Sequence, residues 1–300
     1  MNCLSPAASP SRGLLLATLL GLATGPGLLA ADAVLDPAPF DVTEVATAPT
    51  ETITLYDGKT VTDLSRFYTW LQATGYDDPL RVFTVVDRVE GGPAIRISGQ
   101  GYGGLVTRGN YRDYRLVFEY RWGAVTWGAR RDRTRNSGVL FHCQGEDGNH
   151  VPSFASAWIQ SIEYEVQEGR TGTMILVDGY DRGSPQPVRP SVVMRSRADD
   201  IWDPAGEPSR HEAFKFLFHS TYDTGWKDVL GFRNPRDADR PVGEWNRGEI
   251  VARGDALTFI INGRTVMEAT ESSVREGRLL FQTEGAEIFY RLIELHPLAP

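Results

Sequence analysis

DYRLVFEYRW, residues 113–122, is the stretch that decides the fold class. In an extended chain side chains alternate, so Tyr114, Leu116, Phe118, Tyr120 and Trp122 share one face while Arg115, Val117, Glu119 and Arg121 share the other. A helix would scatter both sets around its circumference, and the segment is predicted to be a strand with one buried face. Similar short runs of β-branched and aromatic residues cover 82–87, 94–98, 139–143, 214–219, 249–252, 257–261, 278–282 and 287–294. Asn262-Gly263, between Ile261 and Val266, is a tight-turn signal joining two strands. No stretch sustains a helical apolar period for more than a few turns. The expected architecture is therefore all-β, an antiparallel β-sandwich. Residues 123–135, with Arg130, Arg131, Arg133 and Arg135, and residues 178–211, rich in Pro, Arg and Asp, are predicted loops of a length often tied to function.

A second strand, WIQSIEYEVQ at residues 158–167, carries the candidate chemistry. Ile162, Tyr164 and Val166 point one way, and Ser161, Glu163, Glu165 and Gln167 the other. Residues two apart on one face lie roughly 7 Å apart, a separation at which Glu163 and Glu165 can flank a sugar ring or a scissile bond. A solvated polar face with ion pairs to Arg121 is the simpler alternative. In residues 136–143 strict alternation groups Val139, Phe141 and Cys143 inward, and Asn136, Leu140 and His142 outward. His142 is thereby expected beside the acids as a proton relay, and Cys143 in the core. Glu119 and Arg121 are expected on the same floor. Trp127, Trp202, Trp226 and Trp245 fall in or near loops, where they could stack on sugars. Glu163, Glu165, Gln167 and His142 offer donors for a divalent metal ion, although no diagnostic ligand spacing accompanies them.

The chain of 300 residues has a formal net charge of −8, which argues against nucleic acid as a partner. Arg12, an apolar run over 14–29 and Ala31-Asp32-Ala33 have the order of a secretory signal peptide cleaved near Ala33. Gly21, Gly25, Pro26 and Gly27 interrupt the run, so no membrane span is expected after processing, and a secreted or periplasmic location follows. Residues 34–51, with Pro37, Pro39 and Pro49, read as a leader or linker, and 52–298 as one domain. Cys143 would be the only cysteine left, which forbids an internal disulfide. A Gly-rich phosphate loop, HExxH, paired Cys motifs and GxSxG are all absent from the sequence.

In order along the chain stand LYDGKTVTDL (55–64), YRDYRLVFEYRW (111–122), NSGVLF (136–141), EYEVQ (163–167), GEWNRGEIVARGDALTFIINGRTV (243–266) and GRLLFQTEGAEIFYRLIEL (277–295). The series resembles the 3-keto-disaccharide hydrolase domain family over about residues 54–295. The resemblance implies a concanavalin A-like lectin/glucanase jelly roll and an exported enzyme cleaving 3-keto-glycosides, as a hydrolase or a 1,2-lyase. Glu165 and Gln167 match the family's Glu-x-Gln, Asn136-Ser137-Gly138 its Asn-Ser-Gly, Trp245-Asn246 its Trp-Asn, and Gln282 with Arg291 its final strands. His142 stands where arginine is common, and Tyr290-Arg291-Leu292 replaces Phe-Arg-Asn. With the strand-face reading added, the candidate catalytic set is Glu165, His142 and Glu163. Gln167, Asn136, Glu119, Arg121, Trp245, Asn246, Gln282 and Arg291 would bind a 3-keto-sugar or other carbohydrate. A noncatalytic carbohydrate-binding module is the alternative. A retaining β-glucanase would show Glu-x-Asp-x-x-Glu, which the Glu163, Glu165, Gln167 spacing does not supply.

Overall fold

We describe residues 45–299 in a computed structural model of the chain; the expected signal segment and the leader up to residue 44 lie outside the described residues. From Val45 the leader's end is already held: the Thr47 N–H donates to Asn110 O at 2.9 Å and Thr47 O accepts from the Arg112 N–H at 3.0 Å.

Two antiparallel sheets pack face to face as a concanavalin A-like jelly roll. The front sheet runs Lys215–Leu217, Met174–Val177, Gln160–Gln167, Asn136–Gln144, Glu276–Glu284, Tyr102–Thr107, Phe67–Leu71. The back sheet runs Arg264–Ala269, Ala256–Ile261, Asn246–Arg253, Tyr114–Thr126, Ala286–Pro297, Gly92–Ile97, Phe83–Val89, with Ile53–Tyr56 beside Ala286–Pro297. The apolar face read from residues 113–122 is the inner face of the back sheet, where Tyr114, Leu116, Phe118, Tyr120 and Trp122 are all buried. Ile162, Tyr164 and Val166 meet them from the front. Tyr164 stacks its edge on Phe118 with centroids 5.4 Å apart, sits 4.9 Å from Phe259, and donates its hydroxyl to Ile260 O at 3.2 Å. Aromatic pairs of this geometry add roughly 0.5–1.5 kcal/mol each beyond the area they bury.

The predicted loop over 178–211 is not loop throughout. Ser191–Arg197 pairs with Glu207–Glu212 and with Ile201–Trp202 in a small three-stranded sheet. Its Val192 and Met194 are buried in the main core, and Val193 bridges Thr270, which anchors the insertion. Among the described residues no helix is long and apolar enough to cross a membrane.

Alternation fails at one place that matters. The register between Asn136–Gln144 and Gln160–Gln167 shifts between Phe141 and Gln144, and His142 has φ +54. This bulge turns His142 inward instead of outward. Its ring lies 5.0 Å from Phe141 and 5.6 Å from Tyr114, and Nδ1 meets Val274 O at 3.3 Å. Cys143 moves to the outer face instead, into a cluster with Leu140, Ile159 and Leu280. Across the bulge Gly277 has φ +147, and a Cβ there would strike the backbone of His142 and Cys143.

Candidate active site

The outer face of the front sheet carries a cavity of about 370 Å³. The polar part of its floor comes from three neighbouring strands. Cross-strand pairing sets Gln167 opposite Asn136 and Glu165 opposite Gly138, while Gln282 and Glu284 extend the same face on Glu276–Glu284. Gly138 is required by close approach: a Cβ there would overlap the Glu163 carboxylate and sit 2.9 Å from Gln282 Oε1. The acids face outward as alternation predicts, yet they are not solvated. Glu163, Glu165 and Gln167 are all buried beneath loops.

Those loops bring the charges that answer the acids. Arg170, in the turn after Gln167, holds its guanidinium 3.4 Å from Glu165 Oε2 and is itself stacked over Phe216 at 4.6 Å and Trp226 at 5.0 Å. Arg130 binds Glu284 at 3.2 Å and Asp228 at 3.3 Å. Asp228 also accepts from the Thr134 hydroxyl at 2.6 Å, and Thr134 Oγ1 accepts from Gln167 Nε2 at 2.9 Å, so the loop is fastened to the floor. A buried pair, Arg135 to Glu168 at 2.7 Å, closes the corner, with Glu168 also accepting from the Gly231 N–H at 2.9 Å. His150 enters from another loop. Its Nδ1 lies 2.7 Å from Asp178 O, and because a carbonyl can only accept, Nδ1 carries the proton and Nε2 is the acceptor of the neutral ring.

Burial governs the ionisation of this face. It pushes Glu165 up to about 7, with Arg170 opposing and Glu284 reinforcing the rise. Burial, followed by the neighbouring charges of Glu165 and Glu284, holds Glu163 well above the usual carboxylate range. Glu284 is raised by burial too, against Arg130. At neutral pH the arrangement is one carboxyl poised to exchange its proton beside another that keeps it, the pattern that separates base from acid. Three buried amide oxygens on the floor, Asn136 Oδ1, Gln167 Oε1 and Gln282 Oε1, have no hydrogen-bond partner among the described residues, and Glu165 Oε2 has only the Arg170 ion pair. Oxygens so placed suit the hydroxyl donors of a sugar.

The sequence-derived site thus divides. Glu163, Glu165, Gln167, Asn136 and Gln282 line one cavity. His142 does not: it is in the core, where burial depresses it to about 4, and it cannot join Glu163, Glu165 and Gln167 as relay or metal ligand. Among the described residues no three acid, imidazole or thiol groups converge as metal ligands. Glu119, Arg121, Trp245, Asn246 and Arg291 belong to the back sheet and its margin instead. There Glu119 bridges Arg291 at 2.5 Å and Arg247 at 3.4 Å, Arg291 stacks over Trp245 at 4.5 Å, and Arg121 pairs with Glu90 at 3.4 Å. Both strands have polar outer faces, but the faces look away from each other across the core. Of the loop tryptophans only Trp226 lines the cavity, joined by Trp158 at the start of the acid-bearing stretch. Glu284 was legible as the next residue on the face of Gln282; Arg130, His150, Arg170 and Asp228 carry no local signal, because tertiary contacts bring their loops to the floor.

The 3-keto-alpha-glucoside-1,2-lyase-like domain family matches residues 51–296. The chain belongs to this family. It is accordingly a carbohydrate-active protein. Among solved structures, a protein described as a candidate glycosyl hydrolase from Parabacteroides distasonis ATCC 8503 is similar with TM-score 0.46 and 17% identity, over 83% of this chain and 94% of that one. A second from the same organism has TM-score 0.44 and 13% identity, over 83% and 100%. The carbohydrate binding module CBM66 from Bacillus subtilis has TM-score 0.36 and 13% identity, over 71% and 91%. No curated protein matches the sequence.

Proposed function

We propose that this family member cleaves glycosides already oxidised to a ketone at C3, and that the front-sheet cavity is where it does so. The observation that carries the reading is the Glu163 and Glu165 pair, two buried carboxyls on one face with ionisation set apart by their surroundings. A C3 ketone acidifies the C2 proton. Glu165 in its ionised form removes that proton, and the electron pair passes to the C3 oxygen as an enolate. Arg170 is the cation we assign to that developing charge. Collapse of the enolate forms the C1–C2 double bond and breaks the bond from C1 to the glycosidic oxygen, which takes the proton of Glu163. The product is an enone and a free aglycone. Water adding at C1, with return of a proton to C2, converts elimination into net hydrolysis. Oxidation of the sugar at C3 falls to a separate enzyme.

The expected outcome with purified protein is consumption of a 3-keto-glucoside, followed by enone absorbance and aglycone release, and no consumption of the unoxidised parent, in which no enolate can form. Equal rates on both would move the activity to ordinary glycoside hydrolysis. Binding of both without turnover would favour a carbohydrate-binding module, for which the unpartnered Asn136, Gln167 and Gln282 oxygens are also suited. We further propose export through the segment ending near Ala33. Mass spectrometry of the cell-processed protein should find a start near Val34, and retention of residues 1–33 or a lipid adduct would overturn it.

A further inference from the structure

The cavity has two chemically different halves, and Glu163 stands on the boundary. On the Glu165 side lie three unpartnered acceptor oxygens, Asn136 Oδ1, Gln167 Oε1 and Gln282 Oε1, and Glu165 Oε2 facing Arg170 at 3.4 Å. On the other side the cross-strand row runs from Glu163 to Ile175 and from Ile175 to Phe216. Alternation along Met174–Val177 sends Met174 and Leu176 into the core, and so puts Ile175 and Val177 on the cavity side. Phe214 stands at the rim, 53% exposed, edge-on to Phe216 at 5.6 Å and tilted against the His150 ring at 5.6 Å. An exposed large aromatic contiguous with an apolar wall marks a contact surface.

The polar half can satisfy the hydroxyls of one sugar ring. A second sugar on the Ile175 side would meet His150 Nε2 and the Arg170 guanidinium over Phe216 at its edges, but would press its remaining hydroxyls against Ile175, Val177 and Phe214, and a desolvated hydroxyl without a hydrogen bond is costly. A flat apolar ring there gains both buried area and edge contacts with Phe214 and Phe216. We propose that this half is the leaving-group subsite and that it takes a planar aromatic aglycone, so that the preferred substrates are aryl 3-keto-glycosides over 3-keto-disaccharides. His150 Nε2 supplies an acceptor in that half for a ring hydroxyl. The inference rests on the 3-keto reading of the same cavity, and it adds a reason for the position of Glu163, which then lies where the sugar and the aglycone meet.

The test is steady-state kinetics with the 3-keto forms of phenyl glucoside, methyl glucoside and a glucose disaccharide, in both anomers, on the wild-type protein and on Phe214→Ala. The phenyl compound should have a KM about tenfold below the other two, the scale of one well-placed aromatic contact. Phe214→Ala, a substitution at a half-exposed position whose folding is checked by its melting temperature, should lower the phenyl-to-methyl ratio of kcat/KM about tenfold. A disaccharide KM at or below that of the phenyl compound, or an unchanged ratio in the variant, overturns the proposal. If no 3-keto compound is turned over, the reaction fails but the subsite is still read by tryptophan fluorescence on titration with unoxidised phenyl and methyl glucosides. Phenyl binding about tenfold tighter would sustain the aromatic subsite, and equal binding would overturn it.

Discussion

Glu165 combines two properties that a surface acid does not: it is buried, and its carboxyl is pushed up to about 7. Both lead to predictions. As the base it must be ionised, so kcat/KM on a 3-keto-glycoside should rise with pH and level off above about 7; Glu165→Gln should remove roughly 100-fold to 10,000-fold of the rate. The same shift acts on stability. A carboxyl raised above its unfolded value binds its proton more tightly in the folded state, so its stabilising contribution is complete below about 4.5 and is lost as pH rises through about 7. Glu165→Gln keeps a neutral group at every pH. The variant should therefore match the wild type in acid and exceed it at pH 8, by up to about 3 kcal/mol less whatever Arg170 loses with its partner. Chemical denaturation at both pH values reads this directly, and a variant that is less stable at pH 8 would make the carboxylate a structural anchor.

At the scale of the element, the acid-bearing strand and its neighbour illustrate how far alternation can be trusted. In Gln160–Gln167 every residue falls on the face that a period of two assigns, because Ile162, Tyr164 and Val166 are locked against aromatic partners on the opposite sheet. In Asn136–Gln144 the same count holds through Phe141 and then fails, since one residue at φ +54 shifts the parity of all that follow. Histidine tolerates that conformation better than most residues, but nothing local in NSGVLFHCQ marks the bulge; the residue that leaves room for it, Gly277, lies across the sheet. The bulge leaves Gly138 in the regular part of the strand, where its lack of a side chain makes room for Glu163. Gly138→Ala should displace that carboxylate, lower activity at least tenfold, and destabilise the protein by roughly 1–3 kcal/mol, the range for overpacking a tight site. Full activity in this variant would mean that Glu163 does not need its present position.

For the whole molecule, the sandwich was legible because a jelly roll writes its two faces into each strand separately, whereas a site assembled from several loops and a sheet is written nowhere in one place. Polar outer faces on Tyr114–Thr126 and Gln160–Gln167 look alike in sequence, and only packing reveals that one faces front and the other back. The Glu119, Arg291 and Trp245 cluster is thus separated from the cavity by the full thickness of the core, about 10 Å between sheets plus the side chains on either surface. Its internal contacts account for its residues: Arg291 is held between Glu119 at 2.5 Å and the Trp245 ring at 4.5 Å, and so joins Ala286–Pro297 to the turn before Asn246–Arg253. Arg291→Ala should therefore lower the melting temperature, through a loss of about 0.5–2 kcal/mol from a half-exposed ion pair and cation–π contact, while kcat stays within about twofold of the wild type. Arg170→Ala, by contrast, removes the cation beside Glu165 and should suppress kcat by at least about 100-fold. Measuring both variants together assigns function to one sheet. If Arg291→Ala abolishes turnover in a protein that melts at the wild-type temperature, the back face takes part in catalysis, and a substrate confined to the front cavity is ruled out.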